Sequence, residues 1–418
     1  MTVAFRAILV GRIVLLAVAA LAVVGVLREG LLNNASRVPS LFAAAVSLSI
    51  DAPAIDELEA EAWLKNASQG AENADGQATL LLLDASKLER ARLEARSALE
   101  NDILRVDSLA IVGLAFNAGG DRSKALEVFS AASELSRRNL FTRIFFMEHY
   151  ARQGQLDKMF REIDIALRTS ASAQDLMFPV VTASLAEPEV IPQVSTLLSS
   201  KPEWASSFVY HAITSSVSAE NIAEAYLAAN VPFYHSGVDL TQLLIETLIA
   251  QNHFGPAFRV WEKFERGVSN LNLVSDGDFT NPQGRVPFTW DLLSSADFEA
   301  ARSRDESGRG ALSIQIFGPV SEVVARQLLR LTPGQYRFSN QIGDTSGAGG
   351  NMSVEWRLRC ADDGVQIGQF RLERDTAVEW SIPESCPFQW LELHVAASEV
   401  DSSKAQALTP VILNRAND

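Results

Sequence analysis

The feature that most constrains this chain is a long apolar stretch close to its N-terminus. Residues 7–27 are apolar apart from Arg12, and Arg6 precedes them. At a rise of 1.5 Å per residue, about 20 residues cross the roughly 30 Å of bilayer hydrocarbon. Positive charge before a first helix favours a cytoplasmic N-terminus. We therefore predict a cytoplasmic tail (1–6), a transmembrane anchor (7–28) and a single-pass protein of a bacterial inner membrane, with its body in the periplasm.

A cleaved signal peptide is the alternative explanation of the same stretch. The runs 17–19 (AVA) and 20–22 (ALA) have the small residues of a cleavage site. However, no polar, turn-forming segment precedes either run, and apolar residues continue to Leu27. The sequence therefore favours a retained anchor over a removed signal peptide.

Charge and cysteine content restrict the partners and the chemistry. The net charge of −15 argues against binding to nucleic acid and against docking on an anionic lipid surface. The only two cysteines, Cys360 and Cys386, are too few for a structural zinc site. In an oxidising periplasm they are candidates for a disulfide, and the alternative is two buried free thiols.

A helical repeat signal lies in residues 109–132. Gly113 would let two helices approach closely, and Phe129 would fill the space between them. Gly120-Asp121 supplies a left-handed turn followed by a helix N-cap. The segment therefore predicts two packed helices joined by a tight turn.

The same pattern recurs with a step of 34 residues. The corresponding positions are Phe116 with Tyr150, Ala132 with Ala166, and Gly120-Asp121 with Gly154-Gln155. These segments resemble tetratricopeptide repeats, whose period is about 34 residues. The resemblance implies an α-solenoid over residues 40–268, with poorly conforming helix pairs at 174–236 and a further unit at 240–264. In this family the concave face usually holds a peptide or a partner protein, and the alternative is a simple spacer.

The composition changes at Asn272 from helical to strand-like. Runs such as 352–358 and 390–395 alternate apolar and polar residues, which predicts strands with one buried face. The opening 272–279 (NLVSDGDF), the following Trp290 and the run 331–336 (LTPGQY) resemble a carbohydrate-binding module of the galactose-binding-like type. The resemblance implies a jelly-roll β-sandwich over 272–418, and hence a multidomain α + β chain.

Candidate ligand-binding residues follow from that resemblance. Sugar binding needs flat aromatic faces flanked by polar groups, and Trp390 shares its predicted strand face with His394. The full candidate set is Trp290, Trp380, Trp390 and His394. Such domains often hold a structural calcium, for which Asp276 and Asp278 are candidate ligands. We expect no cofactor apart from this one candidate ion.

No catalytic pattern stands out in the sequence. The five histidines are scattered, and there is no nucleophile elbow or phosphate-binding loop. We therefore expect a scaffold in the cell envelope rather than an enzyme. The leading hypothesis is assistance in surface polysaccharide assembly or export, through a protein partner on the solenoid and glycan or protein on the sandwich. The alternative is a purely protein-binding scaffold with the sandwich as a structural cap.

Overall fold

The computed structural model describes most of the chain from Ala85 onward and divides it into two compact units. The N-terminal unit ends at Leu240, and the C-terminal unit begins at Thr241. The described residues are 85–101, 104–215, 219–265, 273–305, 308–340, 352–372, 377–397, 404–408 and 410–416. The predicted tail (1–6), the predicted anchor (7–28) and the part of the predicted solenoid before residue 85 lie outside these ranges.

No described helix combines the length and the apolar character needed to span a bilayer. The described residues do form a helical region followed by antiparallel β-sheets. This confirms the coarse prediction of an α region followed by a β domain, and the arrangement is compatible with helical repeats and a β-sandwich.

The described part of the N-terminal unit contains nine helices and one small hairpin. The helices are α1 (Ala85–Asn101), α2 (Val106–Ala118), α3 (Arg122–Leu135), α4 (Leu140–Arg152), α5 (Leu156–Thr169), α6 (Ser172–Ser184), α7 (Ile191–Ser199), α8 (Ala205–Thr214) and α9 (Ala219–Ala229). The hairpin consists of β1 (Tyr234–His235) and β2 (Val238–Asp239).

The helices α2 to α5 form two pairs that repeat with a step of 34 residues. Val106 and Leu140 begin the first helix of each pair, 34 residues apart, and Arg122 and Leu156 begin the second helix at the same spacing. The two turns share one geometry, with Gly120 at φ 83° and Gly154 at φ 69°. Only glycine adopts this left-handed region without a steric penalty. The period seen in the sequence is therefore a real period of the backbone.

Packing between these helices depends on one glycine and a pair of aromatic rings. A Cβ atom on Gly113 would lie 2.8 Å from the Phe129 ring, so glycine is what admits that ring. Phe129 in turn stacks on Phe145 of the next pair, with ring centroids 4.2 Å apart. One ring thus links two successive pairs.

A buried arginine joins three of these helices. Arg143 of α4 is 2% exposed. Its Nη1 donates to Glu162 of α5 at 2.6 Å, and its Nη2 donates to Ser133 of α3. A buried charge is tolerated only when it is paired in this way. The N-terminal unit therefore uses ion pairs as well as apolar contacts inside its core.

The C-terminal unit consists of one helix pair and three antiparallel sheets among its described residues. The helices are α10 (Leu240–Ala250) and α11 (Phe254–Phe264). The strands are β3 (Asp291–Leu292), β4 (Phe298–Arg304), β5 (Gly310–Ile316), β6 (Val320–Leu329), β7 (Gly334–Ser339), β8 (Met352–Cys360), β9 (Gln366–Arg371), β10 (Val378–Ile382), β11 (Gln389–Ala397), β12 (Lys404–Leu408) and β13 (Ile412–Arg415). Their orders are β10-β7-β13, β3-β6-β11-β8-β9 and β12-β5-β4.

One hydrophobic core is shared by all three sheets. Trp356 of β8 lies at its centre, with ring centroids 5.3 Å from Trp290 and 5.8 Å from Phe338. The buried Trp356 indole donates to the Asn340 Oδ1 atom at 3.0 Å. This hydrogen bond satisfies the only polar group of the ring, so burial of the indole leaves no unpaired N–H.

The helix pair α10–α11 packs on the β domain through aromatic side chains. Phe258 contacts Phe288 and Phe388 with centroids 4.6 and 5.6 Å apart, and Trp261 stacks on Phe288 at 4.8 Å. The turn before α11 repeats the left-handed geometry of the earlier pairs, with Asn252 at φ 60°. A helix pair with the geometry of the repeats is thus built into the C-terminal unit, although the composition changes only at residue 272.

Candidate functional site

The candidate site lies on the outer face of the five-stranded sheet of the C-terminal unit. Central strand β11 alternates buried and half-buried residues along its length. Leu391 and Leu393 point into the core, and Trp390, Glu392 and His394 share the opposite face. The alternation in the sequence correctly places Trp390 beside polar neighbours.

Four arginines from neighbouring strands surround this part of β11. Glu392 pairs in register with Arg326 of β6 and with Arg357 of β8, and Trp390 pairs with Arg359 of β8. Arg371 of β9 lies opposite Glu355 of β8. Because register partners in an antiparallel sheet share a face, these side chains form one surface. We call Arg326, Arg357, Arg359, Arg371 and Trp390 the arginine face.

Three carboxylates on this surface, Asp291, Glu355 and Glu392, are each paired with at least one of the arginines. Asp291 of β3 accepts from Arg326 Nε at 2.8 Å. Glu355 accepts from Arg357 at 2.7 Å and from Arg371 at 3.0 Å. Glu392 lies 3.6 Å from Arg359. The carboxylates therefore hold the guanidinium groups in defined positions.

The two signs of charge lie at different depths on this surface. The four arginine side chains are between 35 and 47% exposed, and the three carboxylate side chains are between 10 and 24% exposed. The layer that meets solvent is therefore formed mainly by guanidinium groups. The exposed Glu322 also acts on His394 of this face, so the outer layer is rich in arginine without a large excess of positive charge.

The pKa values of two groups reflect this environment. Burial alone would raise the pKa of Glu355, but hydrogen bonds from Arg357 and Arg371 outweigh it and the pKa is lowered. The pKa of His394 is also lowered, first by burial and second by the charge of Arg357. Both shifts favour a carboxylate and a neutral imidazole at neutral pH.

Trp390 lies beneath a cation on the same face. The guanidinium carbon of Arg326 lies 5.2 Å from the centroid of the Trp390 ring. This distance is within the range of a cation–π interaction, and the same arginine is fixed by Asp291. The aromatic ring and its arginine therefore form one ordered platform.

The other two tryptophan candidates lie in the core. Trp290 packs against Phe279 and donates its indole N–H to the Asp276 carbonyl at 2.8 Å. Trp380 is 3% exposed and stacks on Phe338 at 4.5 Å. In this structure neither ring presents a face to a ligand.

The proposed calcium ligands have partners within the protein. One oxygen of Asp276 accepts from the Asn281 N–H at 2.7 Å, and the other accepts from Arg302 Nη2 at 2.8 Å. Asp278 accepts from the Thr280 hydroxyl at 2.9 Å. Over the described residues, no cluster of three or more histidine, cysteine or acidic side chains is arranged to hold a metal. Calcium binding at these positions stays a prediction.

The two cysteines meet at one end of the same sheet, where the inner strand β8 stops. Cys360, the last residue of β8, forms a disulfide with Cys386, and their Cα atoms are 5.5 Å apart. The neighbouring backbone is also paired, since Ala361 N–H donates to the Phe388 carbonyl at 2.9 Å. The bridge therefore fixes the segment that carries Phe388 toward helix α11.

The four arginines were not among the residues predicted from the sequence. Arg357 and Arg359 alternate with core residues of β8, so a period of two would have placed them on one face with Glu355. The pairing of β8 with β11, which adds Trp390 to that face, has no local signal. Comparison of the chain with protein-family models and with curated proteins gives no match.

Proposed function

We propose that this protein is a non-enzymatic scaffold whose helical repeats bind a partner protein. In this proposal the β domain covers the apolar face of the last helix pair, α10–α11. The observation that carries this proposal is the 34-residue backbone repeat of α2–α5, with a left-handed glycine in the turn of each pair. Stacked helix pairs of this kind form extended surfaces suited to protein binding. The repeat length and the turn geometry support assignment to the tetratricopeptide type.

The role of the β domain as a cap is supported by the contacts of α10–α11. A terminal helix pair leaves one apolar face without a following pair, and such a face needs cover. Phe258 and Trp261 on α11 are buried against Phe288 and Phe388 of the β domain. The β domain therefore supplies the apolar partner that a further repeat would have supplied, and we propose a jelly-roll sandwich for its fold.

A second function, contact with surface polysaccharide, is favoured by the arginine face. Trp390 is the one predicted sugar-binding tryptophan that is not in the core, and Arg326 and Arg359 lie beside it. In this proposal the residues 7–28 anchor the scaffold in the inner membrane, and both units work in the periplasm on glycan assembly or export.

The experiment that tests the scaffold proposal is chemical crosslinking of the full chain in its native membrane, followed by mass spectrometry. Lys124, Lys158 and Lys201 are exposed on the N-terminal unit, and Lys263 is exposed on the C-terminal unit. We expect a reproducible partner crosslinked through the first three. Lys124→Arg, the matched control, should lose only its own crosslink. No reproducible partner, or crosslinks through Lys263 alone, would contradict the proposal.

A further inference from the structure

The arginine face has the properties of a preorganised anion-binding site. Its guanidinium groups are exposed, and the carboxylates beneath them, Glu355, Glu392 and Asp291, are shielded. Pairing to a shielded carboxylate limits the rotamers of each arginine before any ligand arrives. A preorganised arginine loses less conformational freedom on binding than a free one.

The size and balance of the charge restrict the class of anion. Four arginines stand above three paired carboxylates, and the exposed Glu322 lies near His394 of the same face. The surface therefore carries almost no excess of positive charge. A polyphosphate needs many uncompensated cations to displace its counterions. A ligand with widely spaced single charges fits better, and a carboxylate matches the planar fork of arginine in a two-pronged contact.

Trp390 adds an apolar surface within the same layer. Its ring lies under Arg326 and beside Arg359 in the strand register. Trp390 and Arg359 lie on neighbouring strands, which are about 5 Å apart. A ligand that contacts both residues therefore needs an apolar ring edge and a carboxylate about 5 Å from it. Sugar rings that carry a carboxylate meet both requirements.

We propose that the arginine face binds an acidic oligosaccharide through the carboxylates of its sugar rings. This inference rests on the polysaccharide-contact proposal above and names its ligand class. Arg357 and Arg359 would bind the carboxylates of two neighbouring sugar rings, and Trp390, opposite Arg359 and under Arg326, would contact one of those rings.

The test is calorimetric titration of the full-length protein in a neutral detergent with oligogalacturonate. Maltohexaose serves as the neutral sugar, and an oligoglutamate serves as the non-sugar polyanion. We expect oligogalacturonate to bind and both other probes to fail. Because a hydrogen bond to a charged group contributes about 1.5–3 kcal/mol, Arg357→Gln or Arg359→Gln should weaken binding by about tenfold or more.

Arg309→Gln is the matched control, because Arg309 is an exposed, ion-paired arginine on the same unit but outside the arginine face. It should leave the affinity unchanged. If Arg357→Gln fails to fold, Arg357→Lys keeps the charge near Glu355 and removes only the planar fork, and it should still weaken binding. Trp390→Phe should remove the change in tryptophan fluorescence that accompanies binding.

No binding of oligogalacturonate would overturn the inference, and so would equal binding of oligoglutamate, which would indicate attraction by charge alone. Neither result affects the scaffold proposal, which depends on crosslinks from the N-terminal unit. Conversely, oligogalacturonate binding without any crosslinked partner would support the glycan site and contradict the scaffold.

Discussion

The two units of this chain bury their cores through different kinds of contact. In the N-terminal unit most contacts join neighbouring helices, and buried ion pairs such as Arg143–Glu162 lie between them. In the C-terminal unit the core gathers aromatic side chains from strands far apart in sequence, with Trp356 at the centre. Local contacts allow one helix pair to be disturbed alone, whereas a shared core makes a domain fail as a whole.

The largest expected effect comes from the shared core. Trp356→Ala removes a fully buried ring and the hydrogen bond from its indole to Asn340, which should cost about 3–5 kcal/mol. Hydrogen exchange followed by mass spectrometry should show all sheets of the C-terminal unit losing protection together. Loss of protection confined to β8 would break the comparison, because it would mean that the core is not cooperative.

Loss of the disulfide should lower the stability of the C-terminal unit nearly as much as Trp356→Ala does. Replacing Cys360 and Cys386 by alanine together opens a loop of 26 residues, which should cost about 3–4 kcal/mol. Urea denaturation of the wild type with and without reductant measures the same loss. The alanine variant is the control, and a response of that variant to reductant would show that the effect does not come from the bridge.

One glycine in each unit can be replaced by alanine to compare how well the two units tolerate an added methyl group. A Cβ on Gly368 would lie 2.2 Å from the Trp380 ring, and one on Gly113 would lie 2.8 Å from the Phe129 ring. Overpacking of this kind costs about 1–3 kcal/mol. For Gly113→Ala the gain in helix preference, about 1 kcal/mol, offsets part of that cost. We expect Gly368→Ala to be more destabilising in urea titrations.

Gly255→Ala is the control for this pair, because its Cβ would make only an ordinary contact of 3.7 Å with Phe388. Because Gly255 lies in the first turn of α11, its replacement should leave stability unchanged or raise it by up to about 1 kcal/mol. A larger effect of Gly113→Ala than of Gly368→Ala would show that the helical unit is the less adaptable of the two.

The smallest effect is the pH dependence due to His394. Its folded pKa is lowered, so the unfolded chain binds more protons just below the ordinary value of 6.5. Stability from this group is present above pH 6.5 and is lost as the pH falls through the folded pKa. His394→Gln should reduce the loss of C-terminal stability between neutral and mildly acidic pH. An unchanged pH profile would remove His394 from the account.

The comparison also explains what could be predicted from the sequence. The helix pairs and their turns follow from local signals, because Gly120 and Gly154 punctuate a fixed period. The faces of single strands follow from alternation, as for Trp390. The register that brings β6, β8 and β9 around β11 depends on pairings between distant segments, so the arginine face was not predicted. The aromatic seam of Phe288 and Phe388 on α11 depends on such distant contacts as well.

The central claim is that helices α10 and α11 belong to the β domain although they resemble the repeats. Hydrogen exchange on full-length Phe288→Ala tests it most directly, because Phe288 contacts both Phe258 and Trp261. We expect peptides from 241–264 to lose protection together with those of the β domain, while peptides from 140–229 keep theirs. If residues 241–264 stay protected, as the N-terminal helices do, while the β domain loses protection, the claim is wrong.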